Sequence, residues 1–334
     1  MKFNSNIANL LHLFACLVII MAGLKAGKIV FVPLLFAAFL TIILLPFFQY
    51  LQKKGFHAFA SILVILMIIP LPFGICSSLI IHSVKKFREK VPEYKIKLKH
   101  QREVVISQIE KFGIKTKVLK DFFDPSLVIE LVTKTLNELG KLFANSLLIS
   151  VIVIFMLLEA SRIKEKLEII QLTHKSGGDF GNILKTVQNY IFIKSLFSLL
   201  TGMIVWLFLT ILKVDYPALW GLFAFLFNFV PNIGSTLAAI PPILLSGIQF
   251  GLLWAVIVAI AYFIINNVIS NLVEPRFLGT GLGLSPLIVF LSLFFWGWIF
   301  GPIGMLLAVP LTITIKIGLN QNEETRWLSV LIGT

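Results

Sequence analysis

The polar side chains best suited to contact a solute stand in an apolar stretch towards the end of the chain. Asn266, Ser270 and Glu274 follow one another at intervals of four residues. A helix over them would therefore present two polar side chains and a carboxylate along one face. Asn267 and Asn271 stand next to the first two of these positions. This pattern predicts a polar lining, and we regard all five side chains as candidates for it.

Charged residues are rare in the same stretch. Between residues 213 and 316 they are Asp215, Glu274 and Arg276. An ionisable group in apolar surroundings is costly, so its presence indicates a purpose. Glu274 could exchange a proton or a cation, or it could pair with Arg276 across Pro275, a residue that should end the helix. The alternative is an ordinary helix end, at which Glu274 and Arg276 are solvated or paired with each other.

Two interruptions rich in Gly and Pro divide the apolar runs on either side of this segment. In apolar surroundings such breaks free backbone polar groups, and they persist only where they are buried in protein or face a water-filled cavity. Paired interruptions also indicate the binding site of a secondary transporter, whereas lipid-facing kinks would favour a scaffold without transport. The candidates at the two breaks are Asn228, Pro231, Asn232, Gly234, Gly301, Pro302 and Gly304.

The composition of the chain indicates which kind of secondary structure positions these residues. Of the 334 residues, 58% are hydrophobic and 13% are charged, and the mean hydropathy is +0.95. Soluble domains carry about 25% charged residues, and the apolar runs here reach the roughly 20 residues of a membrane span. The sequence therefore predicts an all-α, polytopic membrane protein with about eight transmembrane helices.

The net charge of +13 does not indicate a nucleic-acid partner. Of the 29 Lys and Arg residues, 14 lie between residues 85 and 141, together with 8 acidic residues. Most of the others stand at the ends of apolar runs, where loops meet lipid headgroups. We therefore expect membrane lipids, and no nucleic acid, among the partners.

The polar segment after the third span predicts a small helical insert outside the bilayer. One narrow apolar stripe at helical spacing is formed by Val84, Phe87, Val91, Tyr94, Leu98, Val105 and Ile109. The stripe predicts packing between two extramembrane helices of this chain, or contact with another subunit or a partner. The predicted organisation is spans 1–3 in 1–82, the insert in 83–141, spans 4 and 5 in 142–212 with a polar loop at 159–190, a C-terminal transport region with the broken helices in 213–316, and a tail in 317–334.

The motifs of a membrane enzyme are missing from the sequence. The five histidines are scattered and form no His-Glu-x-x-His motif. Ser235 follows Gly234 without a Gly-x-Ser-x-Gly elbow. Cys16 and Cys76 lie in apolar runs, which suits neither a disulfide framework nor a thiolate metal site. We therefore predict no enzymatic activity, no catalytic residue, no metal site and no cofactor.

Four stretches of the chain resemble a known family. Phe229-Val-Pro-Asn-Ile-Gly-Ser, Asn271-Leu-Val-Glu-Pro-Arg-Phe-Leu-Gly, Leu282-Gly-Leu-Ser-Pro-Leu and the closing segment from Trp296 to Pro310 are similar to the AI-2E family of transporters, the PerM-like permeases. The order of the parts agrees along almost the whole chain. The resemblance implies a multi-pass protein of the bacterial inner membrane that forms a homo-oligomer.

The same resemblance implies a secondary transporter and leaves its substrate open. Some members are described as exporters of autoinducer-2, a small polar solute rich in hydroxyl groups. Others are described as sodium/proton antiporters, which move monovalent cations. The uncharged amides named above would suffice for a neutral solute, whereas an antiporter needs a carboxylate such as Asp215 or Glu274. Export of a small polar solute such as autoinducer-2 is the function we expect, and antiport and a membrane scaffold without transport are the alternatives.

Overall fold

The computed structural model describes residues 5–68, 70–110, 146–173, 180–231, 233–278, 283–320 and 323–333. Within these ranges the regular secondary structure is helical, and no strand is present. The helices are α1 (Ser5–Ala26), α2 (Lys28–Lys53), α3 (Ala58–Ile68), α4 (Pro70–Glu110), α5 (Ser146–Thr173), α6 (Phe180–Ile211), α7 (Pro217–Phe227), α8 (Ile233–Phe250), α9 (Leu252–Asn266), a π-helix (Asn267–Val273), α10 (Glu274–Leu278), α11 (Pro286–Phe300), α12 (Pro302–Asn320) and α13 (Arg326–Ile332). The all-helical prediction is confirmed for this part of the chain.

Five helical segments in the described ranges are long and apolar enough to cross a bilayer. They are Lys28–Lys53, Lys185–Ile211, Ile233–Phe250, Leu252–Phe277 and Pro302–Asn320. Shorter apolar helices accompany them, including α7 and α11, which directly precede α8 and α12. The structure thus agrees with a polytopic membrane protein, and the total of about eight spans stays a prediction.

The chain divides into two compact units. Unit 1 comprises Met1–Leu63, Leu148–Ile191 and Leu282–Thr334, and unit 2 comprises Val64–Leu147 and Phe192–Gly281. The first predicted break and the polar helix end therefore belong to unit 2, whereas the second break belongs to unit 1.

The core of unit 2 forms around the aromatic residues of α7. Trp220 and Phe223 are fully buried, and they share one hydrophobic cluster with Tyr262 of α9 and with Phe87 and Tyr94 of α4. The apolar stripe of the insert, as far as Tyr94, is thus used for packing within the chain. This packing is against α7 and α9, and the predicted second helix of the insert lies outside the described residues, so packing between two insert helices stays a prediction.

The composition changes along α4. Helix α3 is described as far as Ile68 and α4 from Pro70, and residue 69 lies outside the described residues. Helix α4 then runs without interruption past Ser83, at which the composition turns polar. The change from predicted span to predicted insert is therefore a change of surface chemistry along one helix. The part of the insert after residue 110 lies outside the described residues.

Helices α6 and α7 approach each other closely in unit 2 because glycines face each other. A Cβ added to Gly202 would lie 2.7 Å from the carbonyl oxygen of Gly221, and one added to Gly221 would lie 2.7 Å from that of Gly202. Small residues let helix backbones come together in a membrane, where apolar burial provides little driving force. This contact sets α6 directly beside the first break.

In unit 1, α11 and α12 pack against each other on the two sides of Gly301. Gly301 has a φ of 72°, a conformation that is readily open to glycine. Phe300 at the end of α11 contacts Phe31 of α2, with ring centroids 6.4 Å apart. The ammonium of Lys25 lies 3.8 Å from the ring centre of Trp298. The broken pair α11–α12 is therefore anchored to the N-terminal helices of its own unit.

Candidate transport site

A buried ion pair forms the centre of the polar groups in unit 2. Lys194 of α6 donates to both carboxylate oxygens of Glu274, at 2.7 Å and 3.0 Å. The two residues are 5% and 4% exposed, and both belong to helical segments apolar enough to span a membrane. Two charges survive in such surroundings only when they compensate each other and are hydrogen-bonded. The pair is therefore electrically neutral as a unit.

An amide and two hydroxyl groups form a second hydrogen-bonded group, four residues along both helices from the ion pair. The Nδ2 of Asn228 donates to the Oγ of Ser198 at 2.9 Å, and the Oγ of Ser270 donates to the Oδ1 of Asn228 at 3.2 Å. Ser198 follows Lys194 by four residues on α6, just as Glu274 follows Ser270. Each helix thus presents one hydroxyl and one charge along one side. Asn228, which is 3% exposed, joins the two helices.

The first break places Asn228 in this network. Asn228 follows the last residue of α7, and its backbone N–H still donates to the carbonyl of Ala224 at 3.0 Å. The chain then turns, and the N–H of Gly234 donates to the carbonyl of Val230 at 3.1 Å. A Cβ on Gly234 would overlap the carbonyl oxygen of Phe227, so the turn requires glycine there. Pro231 lies within the turn, and Asn232 lies outside the described residues.

A π-helix separates the predicted polar residues into two groups. Residues Asn267–Val273 form this wider helix, a conformation that is rare and frequent at functional sites. Ser270 and Glu274 face the buried network. The amide of Asn271 instead donates to the Oδ1 of Asn267 at 2.8 Å, and that of Asn267 to the carbonyl of Phe263, both in exposed positions. Asn266 is half-buried.

Glu274 has a different partner from the one that the sequence indicates. The predicted pairing with Arg276 is replaced by the pair with Lys194, and Arg276 is exposed. Glu274 and Arg276 both lie in α10, where side chains two positions apart do not face each other. The predicted helix end before Pro275 is wrong as well, because α10 continues to Leu278. Pro275 lies where the π-helix passes into an α-helix, so its missing N–H falls at a change of hydrogen-bond pattern.

Sequence reasoning missed Lys194, although the sequence holds a signal for it. Lys194 is the fourth residue of the fifth predicted span, and no charged residue follows it as far as Leu212. An intramembrane ionisable residue marks a functional site by default. The same rule that selected Glu274 would have selected its partner.

Asp215 lies in a second polar cluster of unit 2, distinct from the ion pair of Glu274. Its Oδ2 accepts from the ammonium of Lys90 at 2.8 Å and from the hydroxyl of Tyr94 at 2.6 Å. The hydrogen bond with Asp215 raises the pKa of Lys90. Burial, and then the hydrogen bond to Asp215, raise the pKa of Tyr94. The cluster borders a cleft of about 550 Å³.

The second break lies in unit 1 and is built from backbone and apolar side chains. The N–H of Gly301 donates to the carbonyl of Gly297 at 2.8 Å, and Pro302 begins α12. A Cβ on Gly304 would overlap the carbonyl oxygen of Trp296, as at Gly234 in the other unit. Both breaks therefore rely on a glycine that lets backbone approach backbone.

No group of three or more metal-ligating side chains (His, Cys, Asp or Glu) occurs in the described ranges. Beside the buried ion pair, the network around Asn228 is made of one amide and two hydroxyl groups. Such a network can exchange hydrogen bonds with a polar solute.

Broken helices and a buried intramembrane ion pair are typical of membrane transporters. Residues 14–323 match the AI-2E family transporters. The chain belongs to this family.

Relatives along the whole length support this assignment. A Haemophilus influenzae protein, provisionally named as a transport protein, is 34% identical over 348 residues, which cover 100% of this chain and 98% of the relative. The AI-2 transport protein TqsA of Escherichia coli is 34% identical over 320 residues, or 95% and 93% of the two chains. Escherichia coli YhhT, also provisionally named as a transport protein, is 31% identical over 324 residues, or 96% and 92%. The protein is therefore a membrane-embedded, multi-pass transporter, and the prediction that it is not an enzyme is confirmed.

Proposed function

We propose that the protein is a secondary transporter that exports a small, neutral, hydroxyl-rich solute such as autoinducer-2 across the bacterial cytoplasmic membrane. The observation that carries this proposal is the buried network around Asn228. Its amide and the hydroxyl groups of Ser198 and Ser270 bond to one another, and they can exchange those bonds for bonds to a polyol. The name of TqsA, at 34% identity, supports the same substrate.

The neutral ion pair favours an uncharged solute over a cation. Glu274 is the buried carboxylate that a sodium/proton antiporter would need, but both its oxygens accept from Lys194. A cation would have to displace an ammonium before it could bind. A neutral solute can form hydrogen bonds beside the pair without separating the two charges, which in apolar surroundings would be expensive. Antiport is therefore the second candidate function.

The remaining parts of the proposal follow the sequence. We propose about eight spans, a homo-oligomer and a path that includes the polar residues of unit 2. The exposed apolar side chains of α6, among them Leu207 and Ile211, suit a lipid or subunit boundary. The broken helices would provide the moving elements of alternating access.

The test compares one substitution at two positions of the transporter. Asn228→Leu removes the amide that joins the two helices, and Asn189→Leu makes the same change at an exposed position of α6. Purified variants in proteoliposomes are assayed for autoinducer-2 flux, with and without proton or sodium gradients. We expect Asn228→Leu to lose most of the flux and Asn189→Leu to keep it.

Three outcomes would contradict the proposal. Wild-type flux of sodium coupled to protons, without autoinducer-2 flux, would establish the antiporter. Absence of flux of either kind in well-inserted protein would favour a scaffold. Equal autoinducer-2 flux in both variants would remove Asn228 from the path.

A further inference from the structure

Asp215 joins α4, α7 and α8 of unit 2, and it lies in the turn just before α7. Its carboxylate binds Lys90 and Tyr94 of α4, and its backbone N–H donates to the Oε1 of Gln249 near the end of α8, at 3.1 Å. Its carbonyl accepts from the indole N–H of Trp220 in α7 at 2.8 Å. One residue therefore connects the polar part of α4 to both helices around the first break.

The turn that contains Asp215 is strained. Lys213 and Tyr216, on either side of it, have φ angles of 58° and 61°. Residues other than glycine adopt this conformation at a cost, and it persists only where surrounding contacts impose it. The bonds of Asp215 hold this turn together with the backbone bond from Val214 to Leu209 and the ring contact of Tyr216 with Phe87. Weakening the bonds of Asp215 should therefore loosen the turn.

Helix α7 links this turn rigidly to the candidate transport site. It runs for 11 residues from Pro217 to Phe227, a length of about 16 Å at the rise of an α-helix. Asn228 follows directly at its far end. Fully buried Trp220 and Phe223 prevent α7 from bending independently of its surroundings. A shift at Asp215 is therefore transmitted to Asn228 by a short, well-packed helix.

The contact with α4 is accessible enough to open. The side chains of Lys90 and Asp215 are 44% and 26% exposed, and the cleft beside them is lined by Lys86 and Glu89 among others. Water and ions can replace such a contact at little cost. The buried pair of Lys194 and Glu274 lacks this access.

We propose that Asp215 is a positioning residue of the transport cycle, through which Lys90 and Tyr94 hold the turn before α7 in place, and that release of this contact lets α7 move Asn228. The consequence for transport rests on the proposed function of Asn228. The contact between α4 and the turn stands on the geometry alone. Lys90 and Tyr94 act through Asp215 and do not touch the solute.

The experiment needs variants that differ in this contact only. Asp215→Asn and Lys90→Gln remove one charge each, and Lys90→Arg keeps the charge. Lys97→Gln is the matched control, since Lys97 pairs with Glu93 at 2.8 Å within α4 itself. Hydrogen–deuterium exchange of the full-length protein reports on residues 213–231, and proteoliposome flux reports on kcat and KM for whichever solute the wild type carries.

We expect exchange in residues 213–231 to rise in Asp215→Asn and Lys90→Gln by roughly two- to fivefold, the size expected for a partly exposed pair. Lys90→Arg and Lys97→Gln should exchange like the wild type. The kcat of the first two variants should change by a similar factor, with KM unchanged. The double variant Lys90→Gln/Asp215→Asn should resemble the single ones, because both remove one contact.

Two results would overturn the proposal. One is exchange near Asn228 that stays at the wild-type level in Asp215→Asn, or that rises equally in Lys97→Gln. The other is an unchanged kcat in Asp215→Asn when the wild type is active. If the wild type carries no solute, the proposed function fails, and the exchange measurements still decide whether the contact positions α7.

Discussion

In the described residues of unit 2, two ion pairs join residues distant in sequence, and they differ in almost every physical respect. Lys194 and Glu274 are buried in apolar helices and bonded through both carboxylate oxygens. Lys90 and Asp215 meet beside an open cleft through one oxygen that Tyr94 also uses. The first pair is therefore suited to remain intact, and the second is suited to open and close reversibly. A transporter needs both, a stable framework around its path and a contact that can open.

The largest effect should come from breaking the buried pair. Lys194→Met leaves the carboxylate of Glu274 buried without its partner, which costs about 3–5 kcal/mol in folded proteins. We expect a large loss of thermal stability in detergent, measured by the unfolding temperature. Lys185→Met makes the same change at an exposed position of α6 and should unfold like the wild type.

A second substitution sharpens this result. Lys194→Met/Glu274→Gln removes both charges and should recover much of the stability, since neutral replacements of a buried pair are often tolerated. Arg276→Gln should not reproduce the loss, because Arg276 is exposed and Glu274 binds Lys194. If Lys194→Met alone were as stable as the wild type, the buried pair would not be part of the framework.

A smaller effect should follow from removing one hydroxyl group of the network. Ser198→Ala leaves the buried Nδ2 of Asn228 without its acceptor, at a cost of about 1–3 kcal/mol. Thr210→Ala removes an exposed hydroxyl from the same helix, and this hydroxyl donates to the carbonyl of Trp206. Thermal unfolding should therefore separate the two variants. Equal stability of the two variants would show that water readily replaces the Ser198 hydroxyl as the acceptor for Asn228.

The smallest effect on stability should come from the accessible pair. Lys90→Gln should cost at most about 1 kcal/mol, because exposed pairs contribute little. Its cost should shrink as salt is raised from 0.05 M to about 1 M, where the Debye length is about 3 Å. The cost of Lys194→Met should change little over the same range. A salt-independent cost at Lys90 would contradict the proposed difference between the pairs.

The pH dependence of the same variant has a definite sign. The bond to Asp215 raises the pKa of Lys90 above the ordinary value of 10.5. The contribution of the Lys90–Asp215 pair to the free energy of unfolding is therefore fully present below pH 10.5. It is lost as the pH rises through the pKa of Lys90 in the folded protein. Wild type and Lys90→Gln should converge in stability only at strongly alkaline pH, and Lys90→Arg should not converge with them there.

The sequence by itself determined the class of protein and the positions at which breaks and polar residues interrupt the apolar runs. Apolar runs of membrane-spanning length, the breaks at Pro231 and Gly301 and the polar residues Asn228 and Glu274 can all be read locally, because hydropathy and proline act on the residues that carry them. The helical stripe through Tyr94 can be read in the same way.

Only the tertiary structure decided which of these residues meet. Glu274 binds a lysine 80 positions away, and Asp215 binds Lys90 from 125 positions away. The π-helix further turns Asn267 and Asn271 away from Ser270. Local periodicity predicts the face of one helix, but partners are chosen when packing brings the faces of two helices together. The physical reason is that packing between helices sets those approaches, as the contact of Gly202 with Gly221 does for α6 and α7, and the local sequence does not specify it.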